Sequence, residues 1–220
     1  MPRLFVAIRP PEPIRDLLID AMDDSADFRW QDDEQLHLTL RFVGEVDRPV
    51  AEDVASALIR VHSPAFELRI AGVGRFEQRS SGALWAGVEP KEPVAALAAT
   101  FGQIHAPRME LRIAGVGRFE QRSSGALWAG VEPKAPVAAL AAKVERACQS
   151  AGLEPERRAF HPHITLARWK GRRTREVQDF LTRTGGLLSE PFDVTEFILF
   201  ESRLSRHGAH YEPLESYPLS

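Results

Sequence analysis

Two short stretches decide how this chain is read: "HLTL" at 37–40 and "HITL" at 163–166. On a strand the side chains alternate between faces with a period of two. His37 and Thr39 therefore project from one face of the first strand, and His163 and Thr165 from one face of the second. Leu38, Leu40, Ile164 and Leu166 point the other way, into a core. A single His-x-Thr is weak, because a lone strand histidine is more often packed or solvated than chemical. Two His-hydrophobic-Thr-Leu matches on alternating strands in opposite halves arise about once in a thousand chains or fewer at typical residue frequencies. The pair reads as functional.

Two such strands brought together place two imidazoles and two hydroxyls around one anion. Imidazole, with an ordinary pKa of about 6.5, is the acid–base group of neutral pH. One ring takes a proton from water while the other gives one to a leaving oxygen. The hydroxyls donate to non-bridging oxygens, which is electrostatic stabilisation without a metal. The combination suits hydrolysis of a phosphodiester, above all a strained cyclic one.

Working outward, a second repeat appears. Residues 67–99 recur at 110–142, displaced by 43 positions, with Glu92 against Ala135 the only mismatch, and "TFGQIHAPRM" (100–109) joins the copies. An old solenoid array drifts at its surface positions and wants at least three units. This reads as a recent or engineered tandem duplication inside a single domain spanning 1–220. Neither His-x-Thr motif lies within it, so it did not create their coincidence. Either copy fits the parental position, and the spare one offers a route to a segment-swapped dimer of an otherwise monomeric protein.

The rest of the chain has ordinary punctuation. "LFVAI" (4–8) is an apolar strand, followed by a helix opened by proline and acid. Val50, Val54, Ala57, Leu58 and Val61 fall at helical spacing in 48–62. "FELRIAGVGRF" and "GALWAGVEP" read as strands joined by a polar turn. Residues 135–152 form a helix closed by Gly152, 174–186 a helix with a glycine stop, 192–204 a strand, and the C-terminus an edge strand. Strands outnumber helices and adjacent ones can pair antiparallel, so the class is α+β with two similar lobes.

Composition excludes several roles. With 44% hydrophobic residues and a net charge of −3, the chain is that of a soluble globular protein with no global basic field for nucleic acid. One cysteine, Cys148, rules out an internal disulfide framework and fits a reducing cytoplasm. The N-terminal apolar run is too short and too broken for a signal or membrane span. "HPH" at 161–163 and "HGAH" at 207–210 lack the convergent ligand set of a metal site, and "AGVGRF" lacks the Lys-Ser/Thr of a phosphate loop. No metal or cofactor is expected. Arg168, Lys170, Arg172, Arg173 and Arg175 follow the second motif as a plausible RNA-backbone contact. Arg41 shares the Thr39 face by simple alternation. Phe42, Trp30, Phe200 and Tyr211 are available to stack a base, although most aromatics in such a domain are core.

The paired motifs, with "RLFVAI", Trp30 ahead of "LHLTLRFVGEV", and "FHPHITLAR", resemble the 2H phosphoesterase superfamily, and within it the bacterial RNA 2′,3′-cyclic phosphodiesterases, also called 2′-5′ RNA ligases. The resemblance implies a two-lobed, pseudo-twofold α+β fold of mostly antiparallel sheet with flanking helices and a site in the groove between lobes. It implies metal-independent opening of RNA 2′,3′-cyclic ends, or of small cyclic nucleotides, to 2′-phosphates. His37 would be the acid at the 3′ oxygen and His163 the base on water. Thr39, Thr165 and Arg168 would hold the phosphate. The reverse reaction is a nucleotide-independent 2′-5′ ligation. A groove blocked by the extra copy would instead leave a protein that binds RNA ends without turnover.

Overall fold

The computed structural model describes residues 1–23, 25–77, 124–171, 173–205 and 208–219. Nine strands and four helices are found among them: β1 (Arg3–Ile8), α1 (Glu12–Ala21), β2 (Arg29–Trp30), β3 (Leu38–Glu45), α2 (Arg48–Leu58), β4 (Phe66–Glu77), β5 (Ser124–Glu132), α3 (Lys134–Ser150), β6 (His163–Lys170), α4 (Thr174–Thr184), β7 (Phe192–Val194), β8 (Glu196–Ser205) and β9 (Gly208–Pro218). The strands run in the order β7-β4-β5-β6-β3-β1-β8-β9, with β2 beside β6, and every pairing is antiparallel. The fold is α+β.

That order has a centre. β6 and β3 meet in the middle, three strands of that order lie to either side of the pair, and the unit β1-α1-β3 is answered by β5-α3-β6. The two halves also trade strands. After α2 the chain crosses to the far lobe to make β4, and after α4 it crosses back to make β8. The second crossing breaks the single strand expected over 192–204. Phe192–Val194 pairs with β4 in one lobe and Glu196–Ser205 with β1 in the other. Thr195 stands at the break, where its carbonyl accepts from Leu219 N at 2.7 Å.

Helices cover one face of the sheet. The apolar positions of α2 that fall at helical spacing do become its buried stripe, Val54, Ala57 and Leu58, and α2 opens on Asp47, whose carboxylate accepts from Val50 N at 3.0 Å. α3 buries Val137, Leu140, Val144 and Cys148. Leu38, Leu40, Ile164 and Leu166 meet these helices, all at most 5% exposed. Gly152 takes a positive φ of 88° just past α3, a backbone setting that favours glycine. The opposite face stays open and carries a separate small apolar cluster of Phe5, Ala7 and Phe200, with Ile198 and Tyr211 against it.

The repeated segment bears on the fold in one respect. β4 takes its residues after Phe66 from the first copy, and β5 and the first part of α3, up to residue 142, take theirs from the second. Residues 78–99, the junction 100–109 and residues 110–123 lie outside the described residues.

Candidate active site

The site is built on the seam between lobes. Leu38 of β3 and Ile164 of β6 are Cα partners in an antiparallel pair. That register sets His37 across from Thr165 and Thr39 across from His163, all four on the open face. Directly opposed side chains have Cβ atoms about 4.5–5.5 Å apart and diagonal ones about 7–8 Å apart. The imidazoles therefore flank a space of phosphate size, and the hydroxyls occupy the other two corners. All four residues are partly exposed. Neither threonine hydroxyl has a hydrogen-bond partner among the described residues.

Each ring is aimed by the same contact. His37 Nδ1 lies 2.7 Å from the Gln35 carbonyl oxygen, and His163 Nδ1 lies 2.6 Å from that of His161. A carbonyl only accepts, so Nδ1 carries the hydrogen and the neutral ring turns Nε2 to the open face. Gln35 is itself held: Asp32 caps the short 3-10 turn over Asp33–Gln35 through a capping box, and Gln35 Nε2 donates to Ala209 O at 2.6 Å. The surroundings differ between halves. His37 sits between Phe5, with ring centroids 4.8 Å apart, and the edge of Tyr211, at 5.1 Å. His163 meets Trp128 at 6.1 Å.

Electrostatics follow from that packing. Burial, opposed by the Gln35 carbonyl and reinforced by the charges of His163 and Arg168, pushes the His37 pKa down to about 4. Burial also lowers His163, with His161 and Arg168 adding to the effect and the His161 carbonyl opposing it. In the free protein both rings rest neutral at pH near 7.

A pair of β-bulges decides which further residues join. Leu40 is an extra residue opposite β1, and Leu166 an extra residue opposite β5. Beyond each bulge the alternation reverses. Arg41 therefore turns to the helix side, where it pairs with Glu145 and Glu156, and the expectation that it shares the Thr39 face is corrected. Arg168, which simple alternation would bury with Ile164, turns instead to the open face. Its charge reaches both imidazoles and Tyr211. The bulge at Leu40 likewise exposes Phe42, the counterpart of Arg168 in the other half, at 49%.

The remaining candidates disperse. Arg173 pairs with Asp27, and Arg175 with Asp179 one turn along α4. Arg172 and His207 lie outside the described residues, and His210 pairs with Glu34. Trp30 packs on Phe28 and Phe180, and Phe200 is buried. Cys148 is a buried thiol on α3 whose pKa desolvation raises to about 11. Among the described residues no three His, Cys, Asp or Glu side chains are grouped to hold a metal ion, and no helix is long and apolar enough to cross a membrane. A concavity of about 350 Å³ between α2 and α3, lined by Arg60, His62, Lys143 and Arg146, lies away from both motifs.

The chain matches two family profiles, the 2′-5′ RNA ligase superfamily over residues 103–206 and the LigT-like phosphoesterases over residues 8–85. Each stretch contains one His-x-Thr strand. The chain is thus similar to the LigT-like phosphoesterases over its first part and to the 2′-5′ RNA ligase superfamily over its second. A relative from Aeropyrum pernix, named RNA 2′,3′-cyclic phosphodiesterase, is 29% identical over 184 residues, covering 83% of this chain and 81% of that protein. One of the same name from Geobacillus stearothermophilus is 29% identical over 196 residues, 86% of this chain, and the match spans about half of that relative (47%). The crystal structure of E. coli LigT complexed with 3′-AMP superposes with a TM-score of 0.67 at 25% identity, covering 100% of this chain and 99% of that one.

What the sequence did not signal is the strand β2, the two bulges and the Gln35 clamp. A two-residue strand has no periodicity, and a bulge replaces one apolar residue by two without a local marker.

Proposed function

We propose that this protein hydrolyses RNA 2′,3′-cyclic phosphodiester ends to 2′-phosphomonoesters by two-histidine acid–base catalysis. The observation that carries the reading is the crosswise His/Thr quartet about the Leu38–Ile164 pair, and the activity named for the relatives agrees with it.

The cyclic phosphate sits between the imidazoles, with Thr39, Thr165 and Arg168 donating to its non-bridging oxygens. His163 Nε2 takes a proton from water as the water oxygen bonds to phosphorus. The bond from phosphorus to O3′ breaks, and His37 delivers a proton from Nε2 to O3′. A 3′-hydroxyl and a 2′-phosphate result, and proton exchange resets the two rings. The acid must be charged, yet the free His37 rests neutral. The substrate supplies the difference. A unit negative charge about 4 Å away at an effective dielectric of about 20 is worth about 4 kcal/mol, or about three pH units. That carries a pKa of about 4 to about 7, so binding the anion arms the acid. With a 5′-hydroxyl in place of water, the same steps join it to the 2′,3′-cyclic end through a 2′-5′ bond and free the 3′-hydroxyl.

The test is product identity. Hydrolysis of a short RNA with a 2′,3′-cyclic end, resolved by ³¹P NMR, is expected to yield the 2′-phosphate alone in the presence of EDTA. A 3′-phosphate, or loss of turnover on chelation, overturns the reading.

A further inference from the structure

Strand β2 lays Arg29 directly across from Arg168 of β6, and Trp30 across from Ala167. Trp30 packs into the core against Phe28 and Phe180. By alternation, Arg29 and Arg168 both stand on the open face, and both are exposed. Their Cβ atoms are then about 4.5–5.5 Å apart, and like charges so placed are destabilising. Elsewhere in this protein a carboxylate relieves such a cation: Arg15 meets Asp33, Arg41 meets Glu145 and Arg183 meets Asp23. Arg29 and Arg168 have no ion-pair partner among the described residues. The juxtaposition is nonetheless firmly built. Gln31 N donates to Leu166 O at 2.8 Å, extending the pairing of β2. The Arg29 guanidinium lies against Gly208, where a Cβ would stand 3.0 Å from Nη2, and the Gly208 φ of 142° is itself a setting that disfavours any side chain. Arg3, also exposed, joins Arg29 and Arg168 in reaching Tyr211 with its charge.

We infer that Arg29 and Arg168 form a two-arginine clamp for a second phosphate, the internucleotide phosphate next to the reacting RNA end, with Arg168 standing between that phosphate and the cyclic one and donating to both. The clamp makes the protein prefer polynucleotide ends to free cyclic mononucleotides. It rests on the proposed function and names the substrate class for that site. The spacing fits. With the bulge at Leu166 discounted, Arg168 stands two residue pairs beyond Thr165 on the same face, about 7 Å along the strand, within the span of one nucleotide. Two planar guanidinium forks match the oxygens of a phosphate and cancel the repulsion between themselves. Pseudo-twofold symmetry also gives the strand a direction. The position of Arg168 in the other half is held by Phe42, so among the described residues this cation pair stands on one side of the seam. The RNA body leaves over β2 and the start of β9 at Gly208.

The experiment compares kcat/KM for three probes: a 2′,3′-cyclic mononucleotide with a 5′-hydroxyl, the same mononucleotide with a 5′-phosphate, and a dinucleotide with a cyclic end. One charge-assisted contact predicts a preference of about ten-fold for the two probes that carry the additional phosphate. In Arg29→Ala that ratio falls toward one, and in Arg29→Lys part of it returns. Arg60→Ala, in the concavity between α2 and α3, keeps the ratio. The salt dependence of kcat/KM for the dinucleotide loses about 0.7 from its log–log slope in Arg29→Ala. A wild-type ratio of one, or a ratio that survives Arg29→Ala, overturns the clamp. Equilibrium binding of the 2′-phosphate products, with and without the 5′-phosphate, makes the same comparison without turnover. An inactive protein whose 5′-phosphate preference in binding is lost in Arg29→Ala overturns the hydrolase reading and upholds the clamp.

Discussion

Protonating His37 in the free protein is opposed mainly by burial, and its pKa falls to about 4. The unfolded chain offers the same ring an ordinary pKa of about 6.5. Above about pH 6.5 the ring is neutral in both states and contributes nothing to the pH dependence of folding. Below it the unfolded chain takes up a proton that the folded chain refuses, so stability falls with pH until the loss is complete near pH 4. The gap from about 6.5 to about 4 is worth about 3 kcal/mol, a sizeable share of a domain's total stability. Urea unfolding at about pH 7 and about pH 4.5 measures it against His37→Asn. That variant keeps an N–H donor for the Gln35 carbonyl and does not titrate. Carboxylate contributions are common to both proteins, so the difference between the two pH losses isolates His37. The variant is expected to lose roughly 2–3 kcal/mol less than the wild type, and the wild-type ring to titrate by NMR below about pH 5. Equal losses in the two proteins, or a His37 titration near 6.5 in the free protein, would refute the burial argument and the arming of the acid by bound phosphate.

Three further outcomes follow from the same geometry. Thr39→Val and Thr165→Val each remove one donor to a phosphate oxygen, and each is expected to lower kcat by about 10- to 100-fold with little change in the urea midpoint. Ile164→Ala empties a fully buried position at the seam. It should cost about 2–5 kcal/mol in urea unfolding, and a cost under 1 kcal/mol would contradict the packing of the β3–β6 pair. Deleting residues 78–120 joins β4 to β5 through Gln121–Ser123, the turn that the repeat itself encodes. Loop closure then favours the shorter chain by about 2 kcal/mol, and kcat/KM on a cyclic-ended RNA is expected to persist. Unfolding of the deleted chain would contradict the split use of the two copies.

The candidate site was legible because catalysis here asks for two residue types at strand spacing, twice. Period-two alternation alone fixed the faces of His37, Thr39, His163 and Thr165, and the apolar partners Leu38 and Ile164 fixed the side that packs. The same alternation fails one bulge later. It assigns Arg41 to the open face and Arg168 to the core, whereas the bulges at Leu40 and Leu166 exchange them. The resemblance, not the periodicity, had Arg168 at the phosphate. Strand crossing between lobes was equally silent. The break at Thr195 falls inside a run that reads as one strand, because both of its halves are β-branched and aromatic. The repeat was plain in the sequence, yet its letters are nearly identical in both copies. No local preference can tell which copy supplies β4 and which supplies β5, and only the pairing partners β7 and β6 distinguish them.

The central claim is that two imidazoles act as one acid–base unit on a cyclic phosphate. The most direct measurement is single-turnover hydrolysis of a 2′,3′-cyclic-ended RNA by the wild type, His37→Ala, His163→Ala and the double variant, all in EDTA. Residues that work as a unit are strongly non-additive. Each single variant is therefore expected to lose about as much as the double one, by at least about 1,000-fold. Independent, additive losses, or turnover surviving in either single variant, would contradict the account.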